Sequence, residues 1–484
     1  MKKTNIAKQI MALAAAVLFC ASLQAQEVEF RTGTFGKMVY KSNEPRLIGS
    51  TDGSVVTIDE LSRKLVLARY DIDQNEKARV ELGSSKEMDC YGGFVNGNNV
   101  DLLMVRNNDG ALRVWRDRRS YDNLQPVGEP AVLTDIKGEA KDKFYYSIAT
   151  SSDQELLAAV SVAARKGLDP EMKVALYNRQ LESYWHMPIE STPFNQMIVN
   201  DSGEVVLGYC TIDQKRPCTF AVVDGENVRR FAFRIDSEVW PLEATLVRYA
   251  DNKLIMAVAV CEGHKVVMPI GSNVNRIDFY CYDVLRDELT INTHHISDLE
   301  SARLANKKDD KPTRNNWVQF GNITQAIADG QGAYLMLDQT WRVTKNDFPV
   351  EQDHLGMLVI RINADGKVQW TRSLRLGAQS AWGSRLYIDY RWRHTADGIM
   401  LAAPQNAKNA DLTDDKPIKV FRAFKDKAIL SVITLDPAGK LTRNNYDIGK
   451  QSLIGSARII DNHNYVLFLT GSNGKGQIGT INIR

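Results

Sequence analysis

The chain has 484 residues, of which 25% are charged, and its 61 Lys and Arg nearly balance its 59 Asp and Glu, for a net charge of +2. So small a net charge gives no electrostatic reason to bind nucleic acid or an anionic membrane, and neither is an expected partner. The length fits either three ordinary domains or one large repeat array. The predicted elements, taken in chain order, decide between the two.

A secretory signal peptide is predicted at the start of the chain. Three lysines within the first eight residues precede an apolar run over 10–18, and small and polar residues follow; this is the order of such a peptide. We expect cleavage after Ala25, with a cut after Ser22 as the alternative. The predicted organisation is a signal peptide over 1–25 and one domain over 26–484, exported to the periplasm or the extracellular space. No segment has the run of apolar residues that a transmembrane helix needs.

Eight turn signals lie between pairs of short apolar runs. Asp-Gly and Asn-Gly suit tight turns because Gly adopts positive φ without cost and Asn or Asp tolerates it. Each turn is followed by a run of β-branched and aliphatic residues with the length of a buried strand, such as SVVTI or NVDLLMV. The turns fall at Asp52-Gly53, Asn96-Gly97, Ser152-Asp153, Asp201-Ser202-Gly203, Asp251-Asn252, Asp329-Gly330, Asp397-Gly398 and Asp461-Asn462. The chain therefore repeats one hairpin eight times.

Each unit then supplies two more strand-like runs. In the sixth unit these are GMLVIRI and KVQWTRSL around Asp365-Gly366, and they predict an outer hairpin over 361–376. Eight units of four strands, at a spacing of about 57 residues, are typical of a β-propeller, whose blades are four-stranded sheets around an axis. The ADGKVQW stretch resembles the outer turn of blades in quinoprotein-type propellers, and the resemblance covers this hairpin only. No unit carries a Trp-Asp or kelch signature.

The two chain ends predict how the ring closes. The last unit has three strand-like runs and lacks an outermost one, whereas the stretch over 27–42 is strand-like and precedes the first complete unit. We predict that this stretch completes the eighth blade, because pairing the first and last strands protects an edge that would otherwise invite aggregation. The predicted fold class is all-β, an eight-bladed propeller of antiparallel blades. Seven blades with an irregular insert, or two separate sandwiches, are the alternatives.

Four long connections predict where a ligand binds. If strands a to d run outward through each blade, the b–c loops and d–a crossovers share one face of the ring. Long loops on a rigid scaffold are more often functional than decorative. The connections are three b–c loops at 262–275, 341–353 and 404–427 and a d–a crossover at 297–316, all in units five to seven. We expect deletion of 404–427 to abolish ligand capture and to leave folding intact.

Aromatic residues near these connections are candidate ligand contacts. Trp317, Trp341 and Trp382 lie at strand ends that border the long connections, with Arg342 and Arg385 close to them in sequence. Exposed Trp beside Arg would suit stacking on sugar rings, peptide side chains or another protein. The alternative is that these rings fill the space between blades.

Three polar candidates fall on the strand SRLYIDYRW of the seventh unit. Alternation places Arg385, Tyr387 and Asp389 on one side of this innermost strand. There they either line the central channel or simply face water.

Local catalytic motifs are absent. The sequence has no H-E-x-x-H, G-x-S-x-G or C-x-x-C. The stretch GKGQIG over 474–479 matches G-x-G-x-x-G, but it precedes the final strand and no helix follows, so it predicts a hairpin. His294 and His295 face opposite sides of a strand and cannot bind a metal together. No catalytic residue, metal site or cofactor is predicted.

Two functional classes follow from this pattern. A non-catalytic scaffold that binds a protein, peptide or glycan through the long connections is favoured, because no local motif points to catalysis. The alternative is a carbohydrate-active enzyme, a glycoside hydrolase or lyase, with carboxylates at the mouth of the central channel. Two carboxylates about 5 to 9.5 Å apart in a deep pocket would favour the enzyme. The sequence leaves the oligomeric state open and favours a monomer.

One short helix is predicted, over about 298–306. Ser297 and Glu300 have the spacing of a capping box, in which each side chain satisfies a backbone donor of the other. Helix-forming residues follow before a charged stretch ends the pattern. The rest of the chain is expected to be strand and turn.

Five cysteines remain after the predicted signal peptide, an odd number that leaves at least one thiol unpaired. Two pairs fall on adjacent antiparallel strands, where Cα atoms about 4.5 to 5.5 Å apart suit a disulfide. The predicted bridges are Cys210–Cys218 in the fourth unit and Cys261–Cys281 in the fifth, with Cys90 free and buried. The alternative is that these are buried free thiols that pack as small hydrophobic side chains.

Overall fold

The structure is a computed structural model. It describes residues 28–34, 36–37, 46–51, 54–108, 110–139, 141–236, 238, 240–261, 274–296, 318–345, 348–381, 391–395, 398–411, 419, 421–422, 425–459, 464–470 and 475–483. Within these ranges the chain is almost entirely strand, and no α-helix occurs. None of the helices described has the length and apolar character needed to cross a membrane. The predicted helix over 298–306 lies outside the described residues.

Four antiparallel sheets form the first half of the molecule, one for each of blades one to four. In each of them the strands follow one another from the innermost, strand a, to the outermost, strand d. Their bounds are β3 (Arg46–Thr51), β4 (Ser54–Leu61), β5 (Lys64–Tyr70) and β6 (Glu76–Ser84) in blade one; β7 (Asp89–Asn96), β8 (Asn99–Asn108), β9 (Ala111–Ser120) and β10 (Ala131–Lys137) in blade two; β11 (Lys143–Thr150), β12 (Leu156–Ala164), β13 (Glu171–Asn178) and β14 (Ser183–Ile189) in blade three; and β15 (Gln196–Val199), β16 (Val205–Tyr209), β17 (Cys218–Val223) and β18 (Val228–Phe233) in blade four.

Four further sheets complete the ring. Blades six and eight each carry one short additional strand. The bounds are β19 (Trp240–Ala250), β20 (Lys253–Cys261), β21 (Arg276–Asp283) and β22 (Glu288–His295) in blade five; β23 (Val318–Asp329), β24 (Gly332–Lys345), β25 (Phe348–Asn363), β26 (Val368–Ala381) and the added β29 (Phe421–Arg422) in blade six; β27 (Arg391–Thr395), β28 (Gly398–Asn406), β30 (Ala428–Leu435) and β31 (Leu441–Gly449) in blade seven; and β32 (Ser452–Ile459), β33 (Asn464–Thr470), β34 (Lys475–Ile483), β1 (Val28–Thr32) and the short β2 (Gly36–Lys37) in blade eight.

The ring closes as predicted, through the N-terminal strand. β1 pairs antiparallel with β34, from Val28 opposite Ile483 to Thr32 opposite Gly479. The Tyr446 hydroxyl of blade seven donates a 2.7 Å hydrogen bond to the Val28 carbonyl. The innermost strands β3 and β32 of blades one and eight are in contact. The eight-bladed prediction is therefore confirmed.

The core lies between the blades. The middle strands are apolar on both faces because each blade is covered by a neighbour on either side. Along β20, Met256 and Val258 pack in the cluster shared with blade four, whereas Ile255 and Ala257 pack in the cluster shared with blade six. Burying each large apolar side chain stabilises the fold by about 1.5–3 kcal/mol. This two-sided burial explains why the strands appear in the sequence as continuous apolar runs.

The outer hairpin of blade six is where the sequence placed it. Ile362 lies opposite Val368 across the turn. The Asn363 carbonyl accepts from Gly366 N at 3.0 Å, and the Asn363 side chain accepts from Lys367 N at 2.9 Å. Gly366 has φ +72°, and an added Cβ would lie 2.2 Å from Cys281 Sγ of blade five. The turn therefore requires glycine both for its backbone conformation and for its packing against the preceding blade.

Candidate functional site

The strand order divides the connections between two faces. Every a–b and c–d turn lies at one end of the blades, which we call the turn face, and every b–c loop and d–a crossover lies at the other, which we call the insertion face. The connections that leave β20, β22, β24 and β28 are therefore on the insertion face. All four predicted long connections belong to this face.

The connection over 341–353 is not a loop, and that prediction is wrong. β24 and β25 continue through it as a paired ladder, with Trp341 opposite Asp353 and Arg342 opposite Gln352, as far as the pair Lys345 and Phe348. Strand pairing satisfies the backbone donors and acceptors that a loop would leave to water. The blade-six b–c connection is a long β-hairpin that extends on the insertion face.

Five of the seven predicted contact residues lie outside the described part of the chain. The innermost strand of blade seven is described only as Arg391–Thr395. The side chains of Trp341 and Arg342 are likewise not described, although their backbone positions are. The predicted contacts without a described position are Trp317, Trp382, Arg385, Tyr387 and Asp389.

The segment over 404–427 is built into the fold. β28 runs through Asn406, and a 3₁₀ helix, Ala407–Asn409, follows. Asn409 is 1% exposed, and its side-chain amide donates to the Lys419 carbonyl at 2.8 Å and accepts from Lys419 N at 2.9 Å. Further on, β29 pairs in parallel with β26 and adds a fifth strand to blade six. The segment therefore joins two blades.

This arrangement changes what a deletion of 404–427 would do. Phe421 is 1% exposed and packs in the cluster between blades seven and eight. Losing a buried Phe side chain costs about 3–5 kcal/mol. The expectation that the deletion leaves folding intact is wrong, and point substitutions are needed to test binding.

A pocket of about 620 Å³ opens in this segment on the insertion face. Asn406 accepts from Lys408 N at 3.0 Å, and Ala407 N donates to the Lys427 carbonyl at 2.9 Å, so backbone contacts hold both ends of the pocket wall. The lining consists of Asn406, Ala407, Lys408, Lys419, Arg422, Asp426 and Lys427. Four side chains of the lining are cationic and one is a carboxylate.

The single carboxylate is already paired. Arg422 donates to both oxygens of Asp426, at 2.8 Å from one nitrogen and 3.1 Å from another. These hydrogen bonds, with the positive charges of Arg422 and Lys408, hold the pKa of Asp426 below its ordinary value. Asp426 is therefore ionised at neutral pH and unsuited to act as a general acid.

The remaining cations of the lining differ in their partners. Lys427 pairs with Asp447 at 2.8 Å, in an exposed ion pair. Lys408 and Lys419 are exposed and form no ion pair within the described residues. The described lining therefore carries more positive than negative charge, and a carboxylate or sulfate group would complement it.

Sequence inspection located the segment but not these residues. The stretch KPIKVFRAFKDK over 416–427 contains five Lys or Arg and one Asp, and this local basic excess was the signal that could have found them. The described residues contain no group of three or more His, Cys, Asp or Glu placed to hold a metal ion.

The register decides between the two predicted disulfides. Cys281 lies opposite Ile255, six residues from Cys261 along β20 and therefore about 20 Å away. A bridge between Cys261 and Cys281 is excluded at that distance, so that prediction is wrong.

The other cysteine pair lies where a bridge is feasible. Cys210 and Cys218 come directly after the opposed pair Tyr209 and Thr219, so they face each other across the two strands. Both are buried free thiols in the structure, and their bridge stays a prediction. Cys90 is 1% exposed and forms no disulfide within the described residues, in agreement with the prediction.

The fold defines this chain as an eight-bladed β-propeller. No family model and no curated protein matches it. Among solved structures it is similar to the WD40 domain of SCAP from fission yeast, with 10% identity, TM-score 0.36 and coverage of 94% of this chain and 98% of that one.

Two further propellers give similar values. The β-propeller domain of Nup133 from Vanderwaltozyma polyspora has 8% identity and TM-score 0.38 over 96% of this chain and 99% of that one. An ulvan lyase from a polysaccharide lyase family has 11% identity and TM-score 0.36 over 94% and 95%. Likenesses this low carry no information on ligand or reaction.

Proposed function

We propose that this chain is an exported binding scaffold that captures an anionic ligand, a protein, peptide or glycan bearing carboxylate or sulfate groups, on its insertion face. The observation that carries the proposal is the pocket in which Lys408 and Lys419 are exposed and form no ion pair within the described residues. An anion that enters this pocket gains charge-assisted hydrogen bonds, which are stronger than neutral ones. The rigid propeller positions the pocket at little entropic cost.

Binding without catalysis fits the described pocket better than hydrolysis or elimination. Glycoside hydrolysis needs two carboxyl groups with different protonation states. The pocket contains one, Asp426, which is ionised and paired with Arg422. The enzyme alternative therefore gains no support from this site.

The test is binding to two anionic polymers, polygalacturonate and polyglutamate, with neutral dextran as the comparison. The double variant Lys408→Glu/Lys419→Glu should reduce affinity for the anionic polymers by tenfold or more, because it replaces attraction with repulsion. Wild-type affinity should fall steeply as salt is raised from about 50 to 300 mM.

Lys440→Glu is the matched control. Lys440 is an exposed lysine in the same blade, but it lies in the c–d turn at the opposite face. This variant should bind like the wild type. Equal loss in both variants would mean that only net charge matters, and unchanged binding in the double variant would refute the pocket.

Export is the second part of the proposal, supported by the charge and apolar pattern over 1–25. The N-terminus of protein recovered from the producing cell should begin after residue 25. An intact residue 1 on protein in the cytoplasm would contradict export.

A further inference from the structure

Two arginines lie opposite each other at the insertion face of blade two. Arg106 of β8 is paired in register with Arg113 of β9, and each lies two residues from the pair Asn108 and Ala111 that closes the b–c turn. In antiparallel strands the Cβ atoms of opposed residues are about 4.5–5.5 Å apart, and like charges placed there are destabilising. The two arginines therefore contribute no stability to the blade through their charges.

Both side chains lie on the face of blade two that packs against blade one. Met104, two residues before Arg106, and Trp115, two residues after Arg113, pack in the cluster shared with blade one. Residues two apart along a strand lie on the same face. Arg113 is exposed, and Arg106 is partly buried. The two side chains therefore leave the core together at its rim, next to solvent.

Within the described residues, neither arginine forms an ion pair or donates a side-chain hydrogen bond. Arg106 Nε is buried without an acceptor, which is unfavourable for a donor. The carboxylate of Asp89, at the start of β7, is paired with Arg46 at 2.8 Å. Asp135 of β10 lies opposite Arg113 and is exposed. The row formed by Arg106, Arg113 and Asp135 thus has two positive charges and one negative charge.

The charge and the geometry of this row favour a sulfate ester as its ligand. Each guanidinium presents a planar fork of donors, and a carboxylate has only two oxygen atoms, which a single fork occupies. A tetrahedral oxyanion on an ester has three terminal oxygen atoms and can accept from two forks at once. A phosphate monoester would bring a charge of about −1.5 to −2 at neutral pH. A sulfate ester carries a single negative charge and therefore balances the row.

We infer that Arg106 and Arg113 form a second anion site, which binds a sulfate ester group of a glycan. This inference rests on the proposed function and makes its ligand a sulfated glycan. The blade-two site and the blade-seven pocket are on the same face of the ring, so one extended polymer that carries several anionic groups can occupy both. Occupancy of both sites by one polymer raises the apparent affinity without any further contact.

The test is binding of the full chain to dextran sulfate, with neutral dextran, polygalacturonate and polyphosphate as comparisons at one salt concentration. The wild type should bind dextran sulfate most tightly and neutral dextran not at all. The double variant Arg106→Lys/Arg113→Lys should lose about tenfold in affinity for dextran sulfate, because lysine keeps the charge but lacks the planar fork. Its affinity for polygalacturonate should change by less than about threefold, because that attraction depends on charge alone.

Two controls separate the site from general charge and from folding. Lys166 is exposed in the b–c loop of blade three, on the same face, and forms no ion pair within the described residues. Lys166→Ala should therefore bind dextran sulfate like the wild type. Arg113→Gln should keep the wild-type melting temperature, because a like-charged neighbour gives the exposed arginine no stabilising role. A clearly lower melting temperature would assign Arg113 to the fold and overturn the inference.

The outcomes separate the arginine site from the lysine pocket. Loss of dextran sulfate binding in Arg106→Lys/Arg113→Lys, with folding confirmed by circular dichroism, supports the arginine site. Equal binding by this variant and the wild type, or tighter wild-type binding to polyphosphate than to dextran sulfate, overturns it. If Lys408→Glu/Lys419→Glu loses polyglutamate binding while the arginine variant binds dextran sulfate normally, the pocket stands and the arginine site fails. If dextran sulfate binding depends on the arginines while the lysine variant binds polyglutamate like the wild type, the pocket fails and the arginine site stands.

Discussion

The Arg361 guanidinium lies 2.9 Å and 3.0 Å from the two carboxylate oxygens of Asp329, although the Arg361 side chain is only 2% exposed. It also lies over the ring of Tyr334, 4.4 Å from the centroid. From blade five, Arg248 donates to the carbonyl oxygens of Asp329 and Gly330, at 3.3 Å and 3.2 Å. The a–b turn of blade six is therefore the anchor for two buried arginines from two blades.

Asp329→Ala should lower the free energy of unfolding by about 3–5 kcal/mol, because it leaves the buried Arg361 cation without its partner. Asp365→Ala is the control. Asp365 is also in a turn of blade six, but its 2.6 Å ion pair with Lys253 is exposed, and such pairs contribute about 0–1 kcal/mol. Urea denaturation measures both. Similar losses in the two variants would contradict the assignment of the anchor.

Gly439→Ala should destabilise the fold more than Gly449→Ala. Both glycines have positive φ, at +82° and +65°, where an L side chain costs about 1–2 kcal/mol. An added Cβ at Gly439 would also lie 2.9 Å from the indole of Trp370, whereas nothing lies within 4 Å at Gly449. The difference between their melting temperatures isolates the contact between blades six and seven. Equal melting temperatures would refute a tight contact there.

Removing residues 28–32 should open the ring. Val28 and Phe30 are partly buried against the blade-seven and blade-eight cluster, and their loss alone costs on the order of 3 kcal/mol. The exposed edge of β34 would then be free to pair with other chains. We expect the variant without residues 28–32 to have a lower melting temperature than a variant that begins at Val28. Its molecular mass measured by light scattering should also be larger. A monomeric truncation of unchanged stability would contradict closure by β1.

Stability should fall as the pH drops below about 7. Burial holds the pKa values of His294 and His394 below the ordinary value of 6.5. The unfolded chain therefore binds more protons than the folded one once the pH drops below about 6.5, so the free energy of unfolding decreases until the folded pKa values are passed. The double variant His294→Gln/His394→Gln should flatten this slope in denaturation series at several pH values. An unchanged slope would show that other groups set it.

Of the two predicted disulfides, only Cys210–Cys218 is compatible with the strand register. Burial, with a smaller effect of the Cys218 thiol, raises the pKa of Cys210 to about 12, which agrees with two buried thiols close together. Peptide mapping of unreduced protein should find Cys210 linked to Cys218, with Cys261 and Cys281 alkylated separately. A peptide linking Cys261 to Cys281 would contradict the register. Alkylation of Cys210 and Cys218 without reductant would reject the bridge.

The sequence determined the architecture because the signals for it are local. An Asp or Asn in a tight turn, followed by an apolar run, recurs with every blade, and two-sided burial makes those runs continuous. The strand-like stretch before the first complete unit and the missing outer strand of the last unit were enough to predict β1 beside β34. The turn at Asn363–Gly366 could be predicted for the same reason, because its backbone conformation depends on the types of four consecutive residues.

Only the tertiary structure decided the contents of the site. Lys408 and Lys419 come together because Asn409 binds the Lys419 backbone ten residues on, and β29 pairs with a blade that precedes it by some forty residues. The pairing of β24 with β25 forms a hairpin where the sequence predicted a loop. The register of β20 and β21 places Cys281 opposite Ile255, six residues away from Cys261. In blade two, the register shifts between Cys90 and Gly92, and this bulge leaves Tyr91 40% exposed, which the two-residue period of a strand does not reveal. Register, bulges and contacts between distant segments depend on the packing of whole sheets, and a single sequence fixes them only through that packing.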